Sequence, residues 1–240
     1  MKGKEKGLAY RDIKKGWKEI RRIENQIRDD ILDKTQVICC TCIGSGNEIL
    51  DGRRFPQVLI DEATQATEPA SLVALTRGAR QVVLVGDHKQ LPPTVISFRA
   101  EEKGLKRSLF ERLVDLGIEP LLLSTQYRMH PAISKFPNQH FYSDRLDDGV
   151  KSENRPAPAG LLWPDWDNPV AFVPVDGGEV VSPDGTSREN PTEVSWVIKI
   201  LNDILEAGEI TKKDIGIITP YAGQVRAIRN SMSEKLDDVE

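Results

Sequence analysis

At 240 residues the chain has room for one large domain or parts of two, and 39% hydrophobic with 29% charged residues is ordinary globular composition, not fibrous or disordered. No apolar run approaches the roughly 20 residues of a membrane helix, and Met1 leads into Lys2-Gly3-Lys4-Glu5 instead of a signal core, so a soluble intracellular protein with no membrane partner is expected. The net charge of -4 argues against a general polyanion binder but leaves room for a basic channel, and residues 1–36 hold eleven Lys/Arg against seven Asp/Glu.

Residues 10–33 predict one long helix, because Ile13, Trp17, Ile20, Ile23, Ile27 and Ile31 recur at spacings of three and four among charged residues. The stripe is expected to be buried on a neighbour. The basic face is either solvated or in contact with nucleic acid. The runs 37–40, 58–60 and 82–85 are continuously apolar, as in strands buried on both faces of a parallel sheet. Three cysteines crowd into the end of the first run and just past it, at Cys39, Cys40 and Cys42; neighbouring strand residues point to opposite faces, so they read as small residues of a buried strand in a reducing compartment. Thr67-Glu68-Pro69 opens a helix that Gly78 closes, and residues 105–116 form another, ending at Gly117.

Gly117 to Pro120 is a plausible seam, after which Leu121-Leu122-Leu123 starts a new strand. Residues 149–169, rich in proline, predict a long surface loop; 171–173 is a further strand and 176–189 a glycine-rich turn region. Asn190-Pro191-Thr192-Glu193 is a helix start with Asn as cap and Glu closing the capping box, and Gly208 is the stop. Residues 215–219 predict a buried strand, and a helix begins near Ala222.

Three segments carry chemistry. Val58-Leu59-Ile60-Asp61-Glu62 delivers two carboxylates at the carboxyl end of a strand, the Walker B arrangement of nucleotide hydrolases. Mg²⁺ prefers one or two carboxylates with phosphate and water, which suits Asp61, while Glu62 would orient or deprotonate the attacking water. Val85-Gly86-Asp87-His88-Lys89-Gln90 leaves a strand about one strand-helix unit later, so both loops can share one sheet edge, with Gln90 placed to bond a γ-phosphate. Asp87 and His88 are each either loop-fixing residues or nucleotide contacts. Gln126-Tyr127-Arg128-Met129-His130-Pro131 offers an arginine fork for phosphate and a tyrosine ring for stacking on a base.

In order and spacing these segments resemble motifs II, III and IV of superfamily 1 helicases, in the branch typified by the nonsense-mediated-decay RNA helicase. Family-like stretches also run through Cys39 to Gly46, Asp61 to Pro69, Ser108 to Leu113, Phe136-Pro137 and Ile217 to Gln224, so the likeness covers nearly the whole chain. The resemblance implies an α/β fold class: parts of two RecA-like parallel-sheet domains, with a long N-terminal helix from an insertion. That helical insertion would span 1–36, the C-terminal part of the first domain 37–118, and the N-terminal part of the second 119–240. It further implies Glu62, Gln90 and Arg128 as the catalytic set, with Arg128 an arginine finger. Asp61 (holding Mg²⁺), Tyr127 (stacking on adenine) and Gln65 would contact ATP. Thr41, Thr219 and Tyr221 would face nucleic acid, a packing role remaining open for Tyr221.

No Gly-x-x-x-x-Gly-Lys-Ser/Thr loop occurs, and Gly44-Ser45-Gly46-Asn47 lacks both its lysine and its length. In the family that loop precedes every motif seen here and the last motifs follow them. The expectation is therefore one part of an ATP-dependent RNA (or DNA) helicase or translocase, a P-loop NTPase moving 5′ to 3′ on single-stranded nucleic acid and inactive alone. Cytoplasmic RNA surveillance, with RNA-surveillance proteins as partners, is the expected setting; a nuclear role stays open. The alternative is a non-catalytic remnant that binds nucleic acid or a partner.

Overall fold

The computed structural model describes residues 3–232, and the chain divides between Pro120 and Leu121 into two units. The first opens with α1 (Gly3–Lys34), a helix of 32 residues. Its apolar stripe does form, since helical period is a local property, but its expected burial does not: Ile13 is 58% and Trp17 61% exposed. Burial needs a second element alongside, and none is there among the described residues. Its last turns are tied down by Arg53, whose Nη2 lies 2.8 Å from Asp33 and 3.5 Å from Asp29.

Residues 37–40 correct a second expectation. They run outside any strand ladder, with Val37, Cys39 and Cys40 exposed, because a strand needs a hydrogen-bonded neighbour as well as apolar residues. Two 3-10 turns follow, Gly44–Gly46 and Glu48–Leu50. Then β1 (Gln57–Ile60), α2 (Glu68–Leu75) and β2 (Gln81–Leu84) make a βαβ unit, the strands parallel in the register Gln57↔Gln81 to Ile60↔Leu84. Ile60, Ala63, Leu50 and Leu109 are buried, but Leu59, Val82 and Val83 are exposed, so the pair is not covered on both faces as expected. Two short helices complete the unit, α3 (Phe98–Glu102) and α4 (Leu109–Asp115), the latter capped by Ser108, whose hydroxyl accepts from Glu111 N–H at 3.1 Å. Arg112 of α4 donates Nε and Nη2 to the carboxylate of Glu68 at 2.8 and 2.7 Å, locking α4 to the start of α2. Those bonds hold the Glu68 carboxyl below its usual range, against the opposing effect of partial burial.

The second unit contains its own βαβ element: β3 (Thr125–Gln126), α5 (Pro131–Phe141) and β4 (Asp147–Asp148), the strands again parallel. The strand expected at 121–123 is displaced to β3, and the runs 171–173 and 215–219 are likewise extended without a ladder. Leu121, Phe172 and Ile218 are almost wholly exposed, for the same want of a pairing neighbour among the described residues. The loop 149–169 is pinned instead of free: Ala159 N–H donates to Glu209 at 2.8 Å, and Gly160 lies so close to Asp203 that a Cβ there would sit 2.2 Å from its carbonyl oxygen. Within the turn region 176–189, β5 (Val180–Val181) and β6 (Arg188–Glu189) pair as a small antiparallel hairpin.

Last come α6 (Pro191–Glu206) and α7 (Ala222–Ser231). Asn190 caps α6 as expected, its Oδ1 accepting from Thr192 and Glu193 N–H at 3.1 and 3.2 Å. The capping box is not closed by Glu193, however. The Asn190 N–H donates to Gln224 Oε1 of α7 at 2.7 Å, and Glu193 accepts from Gln224 Nε2 at 3.2 Å. A side chain 34 residues away has taken the place of the local one, and in doing so joins α6 to α7. Among the described residues no helix is long and apolar enough to cross a membrane.

Candidate functional site

In the first unit the βαβ element brings two of the three motif segments to one edge. Chain direction carries β1 into Asp61-Glu62 and β2 into Gly86-Asp87-His88, both at the carboxyl ends of parallel strands. The ladder continues past the strands, Val85 N–H donating to Ile60 O and Ala63 N–H to Val85 O, both at 2.8 Å. Asp87 N–H then reaches the buried Thr64 hydroxyl at 3.3 Å. Gly86 suits this crossing, since a Cβ would stand 3.1 Å from Ala63 N, Thr64 N and Thr64 Oγ1, closer than side chains usually approach.

Asp61 and Glu62 are both exposed at this edge. Glu62 N–H donates to Asp61 Oδ1 at 3.0 Å, and Glu62 itself has φ of 50°, a left-handed conformation that costs a non-glycine residue about 1–2 kcal/mol. Such strain persists where the surroundings over-determine it; here Gln65 N–H donates to Glu62 O at 2.9 Å and Gln65 Nε2 to Glu62 Oε2 at 3.1 Å. Asp61, Glu62 and Gln65 thus share one tight turn. Among the described residues no group of three or more His, Cys, Asp or Glu forms a metal cage, but Mg²⁺ asks for only one or two carboxylates beside phosphate and water. This exposed pair fits that demand.

On the second loop Asp87 accepts from Lys89 N–H at 2.9 Å and from Gln90 Nε2 at 2.8 Å, and the His88 ring stacks on Phe110 with centroids 6.0 Å apart. Both residues left open by the sequence therefore make loop-fixing contacts, while Gln90 is exposed at the loop tip. Thr41 sits on a different loop. Its hydroxyl accepts from Gly44 N–H at 3.0 Å, and that loop packs on α2, where a Cβ on Gly46 would meet Val73 at 2.9 Å.

In the second unit Tyr127 and Arg128 are exposed on the turn between β3 and α5. That turn is organised by Gln126, a residue the motif reading gave no role: its Oε1 accepts from Arg128 and Met129 N–H, and its Nε2 reaches Asp148. His130, buried, caps α5 through Nδ1, which accepts from Ala132 N–H at 3.0 Å. Thr219 and Tyr221 lie together before α7, Tyr221 N–H donating to Thr219 Oγ1 at 3.5 Å with the Tyr221 ring half-exposed. No spacing in the sequence signalled the Gln126–Asp148 or Gln224–Glu193 contacts, because each joins residues more than twenty positions apart.

Parallel strands that deliver loops at their carboxyl ends, linked by crossover helices, define the class: RecA-like α/β domains. Two family models, each described as AAA domain, match residues 2–98 and 105–240. The chain belongs to the AAA-domain family and is similar to the regulators of nonsense transcripts. It is 45% identical over 207 residues to Regulator of nonsense transcripts 1 homolog of Drosophila melanogaster, covering 86% of this chain and 18% of that protein. With the Arabidopsis thaliana protein of the same name it is 44% identical over 97% of this chain and 18% of the relative. With ATP-dependent helicase NAM7 of Saccharomyces cerevisiae it is 43% identical over 90% of this chain and 22% of the relative. The chain thus spans about a fifth of the length of the curated relatives it matches.

Proposed function

We propose that this chain carries the hydrolysis and sensing residues of an ATP-dependent helicase that travels 5′ to 3′ on single-stranded RNA, or on DNA. The observation behind the reading is the meeting of the Asp61–Gln65 turn and the Gly86–Gln90 loop at one edge of a parallel strand pair. One relative, NAM7 of Saccharomyces cerevisiae, is named an ATP-dependent helicase, which supports the same reading. Asp61 would hold Mg²⁺, an ion that when bound neutralises phosphate oxygens. Glu62 accepts a proton from, or aligns, the attacking water; Gln90 contacts the γ-phosphate, and Gln65 keeps Glu62 in its turn. Arg128 supplies positive charge to the departing phosphoryl group, and Tyr127 stacks on adenine. Thr41, Thr219 and Tyr221 line the nucleic-acid path. Cytoplasmic RNA surveillance is the setting the relatives' names favour.

The phosphate-cradling Gly-Lys-Ser/Thr loop is not among residues 1–240, so turnover is assigned to a longer protein that includes one. The test is ATP hydrolysis stimulated by single-stranded RNA in that protein. Glu62→Gln should keep nucleotide binding and lose about 10²–10⁴ in turnover, and unchanged turnover would remove Glu62 from its role. If the 240-residue chain alone hydrolysed ATP at full rate, the assignment to a longer protein would be wrong.

A further inference from the structure

β3 and β4 are two residues long each, too short for ladder bonds alone to fix the turn that bears Tyr127 and Arg128. The side chain of Gln126 makes up the difference. Its Oε1 accepts from Arg128 N–H at 3.0 Å and Met129 N–H at 2.8 Å, while its Nε2 donates to Met129 O at 2.9 Å and Asp148 Oδ1 at 2.6 Å. Two donors and two acceptor sites are all a carboxamide has, and every one is used. Rotating the amide would set donors against donors and oxygen against oxygen, so its orientation is determined. The same Asp148 oxygen accepts from the buried hydroxyl of Ser134 on α5 at 2.6 Å. The turn's backbone is therefore tied through Gln126 to β4 and through Asp148 to α5.

We infer that Gln126, braced by Asp148, is a positioning residue that presents Tyr127 and Arg128 to the nucleotide; this rests on the function proposed above for those two side chains. Both are exposed; the Tyr127 ring lies against Gly149, next to Asp148, and the backbone beneath both side chains is set by Gln126. Glutamate at 126 would keep the acceptor but lose the donor, and would set a carboxylate oxygen against both the Asp148 carboxylate and the Met129 carbonyl oxygen, where Gln126 now donates. Asparagine at 148 still accepts from Gln126 and Ser134. It also brings an N–H₂ group that can donate to a glutamate at 126, so the two changes together restore that one bond with its direction reversed, while the bond to Met129 O stays lost.

The experiment compares Q126E, D148N and the double variant Q126E/D148N in the full-length protein. RNA-stimulated ATP turnover is measured beside amide hydrogen exchange at Arg128 and Met129. Q126E is expected to lose about 10–100-fold in kcat/KM, the order of effect of a misplacement near 1 Å, with faster exchange at both amides. D148N should stay close to wild type, and the double variant should recover part of both losses, the bond to Met129 O remaining absent. Unchanged exchange in Q126E would overturn the clasp. Faster exchange with unchanged turnover would overturn the positioning role, and failure of the double variant to recover would break the link to Asp148. A wild-type protein with no ATP turnover would refute the functional reading and with it the role given to Gln126, whereas exchange would still report whether the clasp exists.

Discussion

Replacing Gln224 by alanine isolates the contact that joins α6 to α7. Gln224 is 6% and Asn190 8% exposed, so the Asn190 N–H loses its acceptor in a place water hardly reaches. An unsatisfied buried donor costs about 1–3 kcal/mol. The side-chain methylene lost from the core adds about 0.8 kcal/mol. One relaxation works the other way: Glu193, released from Gln224 Nε2, can fold back onto the Asn190 N–H and close the local capping box, regaining about 1 kcal/mol. The balance is a loss of about 2 kcal/mol. With a urea slope of roughly 1–2 kcal/mol per molar, the midpoint falls by about 1–2 M. Tryptophan fluorescence follows it, since Trp196 lies on α6. Glu193→Ala added to Gln224→Ala should lower the midpoint further by removing the relaxation. A shift under about 0.3 M for Gln224→Ala would refute the claim that this contact carries the junction.

Arg128→Ala in the full-length protein should slow ATP hydrolysis by about 10³-fold or more while leaving the thermal midpoint in place; a change in stability alone would make Arg128 structural. Gly86→Ala should destabilise the first unit by about 1–3 kcal/mol, because the backbone nitrogens of Ala63 and Thr64 cannot yield as a flexible side chain would; an unchanged thermal midpoint would contradict the close approach. Asp184 is held down to about 2 by the Ser182 hydroxyl first, then Thr186, with a smaller contribution from Arg226. Because the folded value lies below the ordinary 3.8, its stabilisation is present above about pH 4 and is lost as pH falls through 2. Wild type should therefore lose urea resistance faster than Asp184→Asn between pH 4 and 2, and parallel pH profiles would remove Asp184 from that account.

What the sequence made legible was local or one strand-helix unit in reach. Val58 to Ile60 and Val82 to Leu84 read as parallel strands because continuous apolar runs flanked a helix opened by Glu68-Pro69, and the placing of Asp61 and Gln90 followed from chain direction alone. Asn190 read correctly as a cap since its acceptors' donors lie two and three residues on. The runs 37–40, 171–173 and 215–219 look the same in hydropathy but take no partner among the described residues, and pairing is a non-local fact that a run of Val and Ile does not encode. The β5–β6 hairpin was hidden for the opposite reason: it lies within 176–189, which reads as a turn region, and two-residue strands carry no period. The stripe on α1 shows the division within one element, its period written in the sequence and its cover not.

The lashing of Ala63 to Val85, of Asp87 to Thr64, and the fit of Gly86 between them leave the two loops of the first unit with a single set of kinematic freedoms. Rotation of one relative to the other would break ladder bonds and drive backbone into backbone. Whatever displaces the tip at Gln90 consequently carries the turn at Glu62 with it, as two teeth of one gear. Neither loop can be retuned by itself: a substitution that tilts either resets the pair, and tolerated change at this edge should come in compensating couples.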